Sequence, residues 1–397
     1  MSPLLFGLSP EAQTALLAAC APLTLEDGAV LLEPGQENHH LYLLTQGRMA
    51  AFLTEDSSQP GFPILPGESI GEMSIIDGQP VSARVVAVGE CRLLVMPEAF
   101  FWDRLAPLPG VARNLLRLMS KRMRDRNQVM IRAVEQELQL AHLHKELATA
   151  GAIQMGMLPH HRPFFPRHPG LDIHALLMPA KEVGGDLYET LQLDEERILL
   201  AVGDVSGKGM PAALFMMRTL TLLRAQAGAG LAPEVLLPEL NRLLCENNET
   251  DMFVTLYVAI LSLRTGQLRL LNGGHNLPLL SRQGQSFEVL DQAKGPLLGV
   301  IPGARYRMAE TTLAPGDRLL LYSYGVTEAE NGLGQWFSLE RARALLDRLD
   351  PDLDMNQAIA ALAAAVARFA DGAAQSDDIT LLGLRMPDGS QTPAAPD

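Results

Sequence analysis

The stretch Arg197-Ile198-Leu199-Leu200-Ala201-Val202-Gly203-Asp204-Val205-Ser206-Gly207-Lys208-Gly209 carries an apolar strand into a glycine-rich turn, with one carboxylate at the junction. Two more acidic positions have the same setting. Asp186 closes Glu182-Val183-Gly184-Gly185-Asp186, and Asp377-Asp378 precede the apolar run Ile379 to Leu384. Carboxylates at strand ends can converge on one spot while lying far apart in sequence. Holding them together is costly without a cation, and hard oxygen donors favour Mg²⁺ or Mn²⁺. The pattern points to a divalent-metal site for phosphoester hydrolysis. The competing reading is three solvated turn aspartates, since Asp and Gly are ordinary turn residues. Spacing alone leaves both open.

A chain of 397 residues has room for two domains or three modules. With 47% hydrophobic and 20% charged residues, its composition is that of a globular protein. The formal net charge of -14 argues against a nucleic-acid-binding surface. Lys121, Arg122, Arg124 and Arg126 form a short basic patch, expected to dress the solvent face of a helix. Cys20, Cys91 and Cys245 are isolated, as suits idle thiols in a reducing cytosol. Neither a signal peptide nor a membrane-length apolar run is evident, so the expectation is a cytoplasmic protein with no membrane or nucleic-acid partner.

Between Ala21 and Val95, short apolar segments (Val30 to Leu32, Leu41 to Leu44, Val85 to Val88) alternate with glycine turns, suggesting a β-sandwich or jelly roll. Pro10 to Cys20 has helical apolar spacing, with Ser9 as N-cap. From Gly110 to Gly156 turn residues nearly vanish, predicting one long helix or two in tandem. Its apolar positions approximate a heptad that Glu137 and His144 interrupt, so the helix is read as a coiled-coil signalling linker that pairs two chains. The other reading is an amphipathic helix packed on its own domain. Past Leu171, strands at 197–202, 253–263, 267–271, 318–322 and 379–384 mix with helices at 211–225 and 358–369, as in an α+β sandwich. The expected fold is multidomain. A β jelly roll with flanking helices spans 1–112, a helical linker 113–157, an α+β sandwich 158–386 and a disordered tail 387–397.

Several motifs occur in order between about residues 146 and 386. After Ala152-Ile153-Gln154 and Met157-Leu158-Pro159 come the Asp186 and Asp204 motifs. Asn272-Gly273-Gly274-His275, Gly295-Pro296-Leu297-Leu298-Gly299, Tyr322-Ser323-Tyr324-Gly325-Val326-Thr327-Glu328-Ala329 and Asp377-Asp378-Ile379-Thr380 follow. The series resembles the metal-dependent PPM-type serine/threonine phosphatases of the SpoIIE/RsbU branch. That resemblance implies two antiparallel sheets flanked by helices. Asp204 and the Val205 carbonyl would serve as metal ligands, with Asp186 among metal-bound waters and Asp377 a direct ligand supported by Asp378. It also implies Mn²⁺- or Mg²⁺-assisted attack of water on phosphorus without a covalent enzyme intermediate, and a phosphorylated STAS-type anti-sigma-factor antagonist as substrate.

Two positions depart from the family pattern. Tyr324 stands where the family has an aspartate ligand, and a phenol with a pKa of about 10 is a poor ligand for these cations. Glu189 stands where Asp is common, which keeps the charge. The chain is then either a phosphatase with a weakened second metal or a pseudophosphatase that sequesters its partner. His275 is read as a turn residue rather than a general acid, and Met216 and Met217 as packing residues.

Residues 5 to 125 resemble cyclic-nucleotide-binding domains through Pro66-Gly67-Glu68-Ser69-Ile70-Gly71-Glu72-Met73-Ser74 and the glycines before it. The resemblance implies a cofactor-binding cassette at Gly71, Glu72, Ser82 and Ala83, with Glu72 taking the ribose 2′-hydroxyl. Where the family has a phosphate-binding arginine, this chain has Val81; Arg84 points to the opposite face of an extended strand. Loss of that contact removes about 1.5–3 kcal/mol, so cyclic nucleotide is a doubtful ligand. DNA binding is not expected, because no helix-turn-helix pattern follows the long helix.

Overall fold

The structure is a computed structural model that describes residues 2–52, 61–168 and 170–387. Beyond Pro387, the expected disordered tail lies outside the described residues. The chain divides into two compact units, Met1–Leu138 and Gln139–Asp397.

In the first unit, helix α1 (Pro10–Ala18) starts at Ser9, whose side chain accepts a hydrogen bond from Ala12 N–H. A six-stranded antiparallel sheet follows: β1 Ala21–Leu25, β2 Val30–Leu32, β3 His40–Phe52, β4 Phe62–Ile64, β5 Ser69–Ile70 and β6 Arg84–Pro97. β3 pairs with β6 along its length, with register shifts around Gln46. Such irregularities re-aim side chains across a sheet. Alternation sends Leu41 and Leu43 to one apolar cluster and Leu44 to another, and beyond the shifts Met49 joins the cluster of Leu44. Helix α2 (Glu72–Asp77) lies between β5 and β6, and the short α3 (Glu98–Phe100) follows β6.

Helix α4 (Val111–Met157) is one continuous 47-residue helix, which resolves the choice between one helix and two. Leu116, Met123, Met130, Leu138 and Leu143 on it are exposed.

Two five-stranded antiparallel sheets form the second unit. One runs β14 (Met308–Thr312), β11 (Gln267–Gly273), β10 (Val254–Ser262), β9 (Arg197–Val205), β8 (Leu187–Gln192). The other runs β13 (Glu288–Val289), β12 (Leu279–Ser281), β15 (Arg318–Tyr322), β16 (Ile379–Arg385), β7 (Asp172–Met178). Leu199, Leu319, Leu321, Leu382 and Leu384 share one core between them. Helices α5 (Met210–Gly228) and α6 (Pro233–Cys245) join that core through Leu220, Leu223, Leu237 and Leu240. The remaining helices are α7 (Tyr324–Thr327), α8 (Leu339–Leu346) and α9 (Met355–Ala370). α9 packs Ile359, Leu362 and Val366 against Leu320 and Leu381. Covered on both faces, β10 is buried at every position but its last, which is why it reads as an unbroken apolar run. This two-sheet α+β architecture is the one expected from the motif order.

Candidate metal centre

β8 and β9 are antiparallel, with Leu187 opposite Gly203, so the start of one strand meets the end of the other. Asp186 precedes β8, and Asp204 is the penultimate residue of β9. In the facing sheet, Tyr322 ends β15 opposite Leu381 near the start of β16. Tyr324 and Asp377-Asp378 follow and precede those strands, and the topology gathers all these positions at one end of the sandwich.

Asp204, Asp377 and Asp378 line one cleft together with Gly184, Gly185, Lys181 and Lys208. Asp378 is buried, and its carboxylate is spent on backbone: Oδ1 accepts from Ala180 N–H at 2.7 Å, and Oδ2 accepts from Gly185 (2.7 Å) and Asp186 (3.2 Å) N–H groups. It therefore fixes the Gly184–Asp186 loop. Asp377 Oδ1 accepts from the Asp378 N–H at 3.0 Å and lies 3.8 Å from Lys208 Nζ. The same ammonium donates to the Ser376 carbonyl.

Asp204 has its pKa pushed up to about 7, first by burial and then by the Asp377 and Asp378 charges, against the pull of Lys208. Asp186 is fully buried. Burial and the Asp204 charge raise its pKa well above the carboxylate range, while a 2.5 Å hydrogen bond from Thr380 Oγ1 opposes the rise. Among the described residues no three Asp, Glu, His or Cys side chains form a ready metal cage. The donor set still fits a hard divalent cation: Asp204 is a desolvated carboxylate short of counter-charge, Asp377 faces the same cleft, and the Val205 carbonyl borders Gly185. Tyr324 adds no anionic donor. Burial, Glu328 and Asp204 all raise its phenol pKa further from neutrality.

His275 is a structural residue. It is fully buried, its Nδ1 pairs with Thr255 Oγ1 at 2.8 Å, and burial pushes its pKa down to about 3. Its backbone N–H is accepted by Asn272 Oδ1 at 2.8 Å, which closes the turn. Glu189 does not line the cleft; its buried carboxylate pairs with the half-buried Arg224 of α5. Arg224 also donates to the Met157 carbonyl at 2.7 Å. Met216 is buried in the core and Met217 packs against it.

The residue pattern did not reveal a clamp on the Gly184–Asp186 loop. Gln154, at the C-terminal end of α4, donates through Nε2 to the Gly184 carbonyl (2.6 Å) and accepts the Gly184 N–H on Oε1 (3.1 Å). The glutamine stood out only as part of a motif. That it meets residue 184 depends on tertiary packing.

In the N-terminal cassette, Gly71 has a φ of 83° and begins α2, and Glu72 is buried. Glu72 pairs with Arg122 of α4, whose Nη2 donates to the Ser69 carbonyl at 2.6 Å. This corrects the reading of the basic patch: Lys121, Arg124 and Arg126 are exposed, but Arg122 turns inward. Val81 is buried in the apolar cluster of Leu32, Leu44 and Ile70. Ser82 is exposed, Ala83 is half-buried, and Arg84 pairs with Glu33 at 3.2 Å on the surface.

Residues 194–387 match the family model described as Stage II sporulation protein E (SpoIIE), and residues 22–106 match the cyclic nucleotide-binding domain model. Each part of the chain is thus similar to a different family, the N-terminal part to cyclic nucleotide-binding domains and the C-terminal part to SpoIIE. Phosphoserine phosphatase RsbU of Bacillus subtilis is 33% identical over 205 residues, which is 51% of this chain and 58% of RsbU. Cyclic AMP receptor protein of Thermus thermophilus is 33% identical over 126 residues, 31% of this chain and 58% of that protein. The SiaA-PP2C domain of Pseudomonas aeruginosa superposes with a TM-score of 0.55 at 24% identity, over 62% of this chain and 98% of that domain, and so shares the fold. The chain thus spans less than two thirds of the length of the curated relatives it matches. Asp204 and Asp377 lie within the matched residues and face one cleft, while Asp186, which precedes the match, lies buried beside it on the loop that Asp378 braces.

Proposed function

We propose that the chain is a signal-regulated, metal-dependent protein serine/threonine phosphatase acting on a phosphorylated STAS-type anti-sigma-factor antagonist in a cytoplasmic partner-switching pathway. The observation that carries this reading is the cleft at one end of the sandwich, where Asp204 and Asp377 face the same space with Asp378 bracing the loop. The similarity to phosphoserine phosphatase RsbU supports the substrate class. Asp204, Asp377 and the Val205 carbonyl would hold Mn²⁺ or Mg²⁺. Such a cation, when bound, lowers the pKa of water and neutralises charge on phosphoryl oxygens. The chain's own residues hold those carboxylates in place and keep one side of the cleft buried. Among the described residues no helix is long and apolar enough to cross a membrane.

Regulation would pass through α4. Gln154 at its C-terminal end grips Gly184, two residues before Asp186, so a shift of the helix end moves the loop that Asp378 fixes. The exposed apolar side chains Met123, Met130, Leu138 and Leu143 support pairing of two chains along this helix. With Val81 buried and Glu72 already paired to Arg122, we read the N-terminal domain as a relay rather than a tight receptor for cyclic nucleotides.

Tyr324 favours a second reading, a pseudophosphatase that sequesters its partner. The test is hydrolysis of p-nitrophenyl phosphate and of a phosphorylated STAS-domain protein with Mn²⁺ by the native chain, Asp204→Asn and Tyr324→Asp. Native activity abolished by Asp204→Asn supports the phosphatase. Activity in Tyr324→Asp alone would leave the native chain a binder.

A further inference from the structure

The cleft has to accept a phosphate monoester carrying about 1.5 to 2 negative charges, yet three carboxylates line it. Its lining contains two cationic side chains, Lys181 and Lys208. They differ in attachment. Lys181 acts on its neighbour Glu182, a surface carboxylate already paired with His144. Lys208 is tied to the metal centre: its ammonium donates to the Ser376 carbonyl, lies 3.8 Å from Asp377 Oδ1, and acts on Asp204 from the same turn. An ammonium has three donors, so the Ser376 contact leaves two. The Lys208 side chain is 49% exposed, which makes it reachable from solvent while its head stays anchored.

We propose that Lys208 is the phosphate-binding residue of this cleft, its ammonium donating hydrogen bonds to the phosphoryl oxygens of a phosphoserine substrate. The proposal rests on the phosphatase reading and adds the residue that admits an anion to an acidic cleft. Lysine suits the role as a compact point charge with rotatable donors. It also offsets the Asp204 and Asp377 charges on the approach path. The role is substrate binding, distinct from bracing Asp377.

The test compares the full-length native chain with Lys208→Met and Lys208→Arg in Mn²⁺. It measures steady-state kinetics on a phosphoserine peptide, competitive inhibition by inorganic phosphate, and Mn²⁺ affinity by calorimetry. The expected result for Lys208→Met is a rise of about tenfold in both KM and the phosphate inhibition constant, larger than any change in kcat. Mn²⁺ affinity should hold, and Lys208→Arg should recover most of the binding. Weakened Mn²⁺ affinity with unchanged KM would mean that Lys208 only positions Asp377, and would overturn the proposal. So would unchanged phosphate inhibition in Lys208→Met. If the native chain shows no turnover, the phosphatase reading fails separately, and Lys208 is judged by fluorescence anisotropy of the labelled phosphoserine peptide. Equal binding by the native and Lys208→Met chains then overturns the proposal; loss of binding in Lys208→Met upholds it.

Discussion

The Asp378 carboxylate occupies the space where a side chain at residue 184 would begin: a Cβ placed on Gly184 would lie 2.4 Å from Asp378 Oδ2. The motif Val183-Gly184-Gly185-Asp186 and the motif Asp377-Asp378 are thus two halves of one contact, separated by about 190 residues of chain. Gly325 answers the same demand, since a Cβ there would lie 2.1 Å from the Asp378 carbonyl oxygen.

Asp378→Ala should therefore act on stability as well as on activity. It strands the buried N–H groups of Gly185 and Asp186 and frees the half-buried one of Ala180, at a cost of about 2–4 kcal/mol. Urea denaturation monitored by circular dichroism checks this. A midpoint within error of the native chain would contradict the bracing role.

Metal-free protein should lose stability as pH rises from about 4 to about 7. Asp204 titrates at about 7 when folded and near its ordinary value of 3.8 when unfolded, so between those values the folded state binds the extra proton. Its contribution is complete below the unfolded pKa and disappears as pH passes the folded one. Asp204→Asn should flatten this slope, and Mn²⁺ should reverse it in the native chain. Thermal melts across that pH range, with and without chelator, decide the matter.

Tyr324→Asp should raise Mn²⁺ affinity by about tenfold, or roughly 1.4 kcal/mol, by adding a carboxylate beside Asp204. Calorimetry on both proteins measures it. An unchanged affinity would show that position 324 lies outside the coordination shell.

The His275 ring should not titrate between pH 8 and 5, because burial holds its pKa at about 3. Nuclear magnetic resonance of its ring protons reads this directly. A shift centred near pH 6.5 would return the residue to consideration as an acid.

Val81→Arg places a charge in an apolar cluster and should lower the melting temperature without restoring cyclic AMP binding while Arg122 holds Glu72. Calorimetry with cyclic AMP on the native and variant chains tests both halves. Tight binding by the native chain would overturn the relay reading.

Residue pattern alone located β9, β10, β15 and β16, because they are apolar runs whose composition forces burial, whereas the half-exposed β7 and the short β12 and β13 gave no such signal. It determined the long helix through the absence of turn residues, and the carboxylates through their place at strand ends. Tertiary structure alone decided which acid does what. Asp378 spends its oxygens on backbone, Asp186 is buried against Thr380, and Asp204 with Asp377 is left facing the cleft. It also turned Arg122 toward Glu72 and Gln154 toward Gly184, while their neighbours on the helix face solvent. The physical reason is that residue type and local period fix how a segment folds. The charge and hydrogen-bond partners of a buried polar group come from chain positions that no local pattern contains.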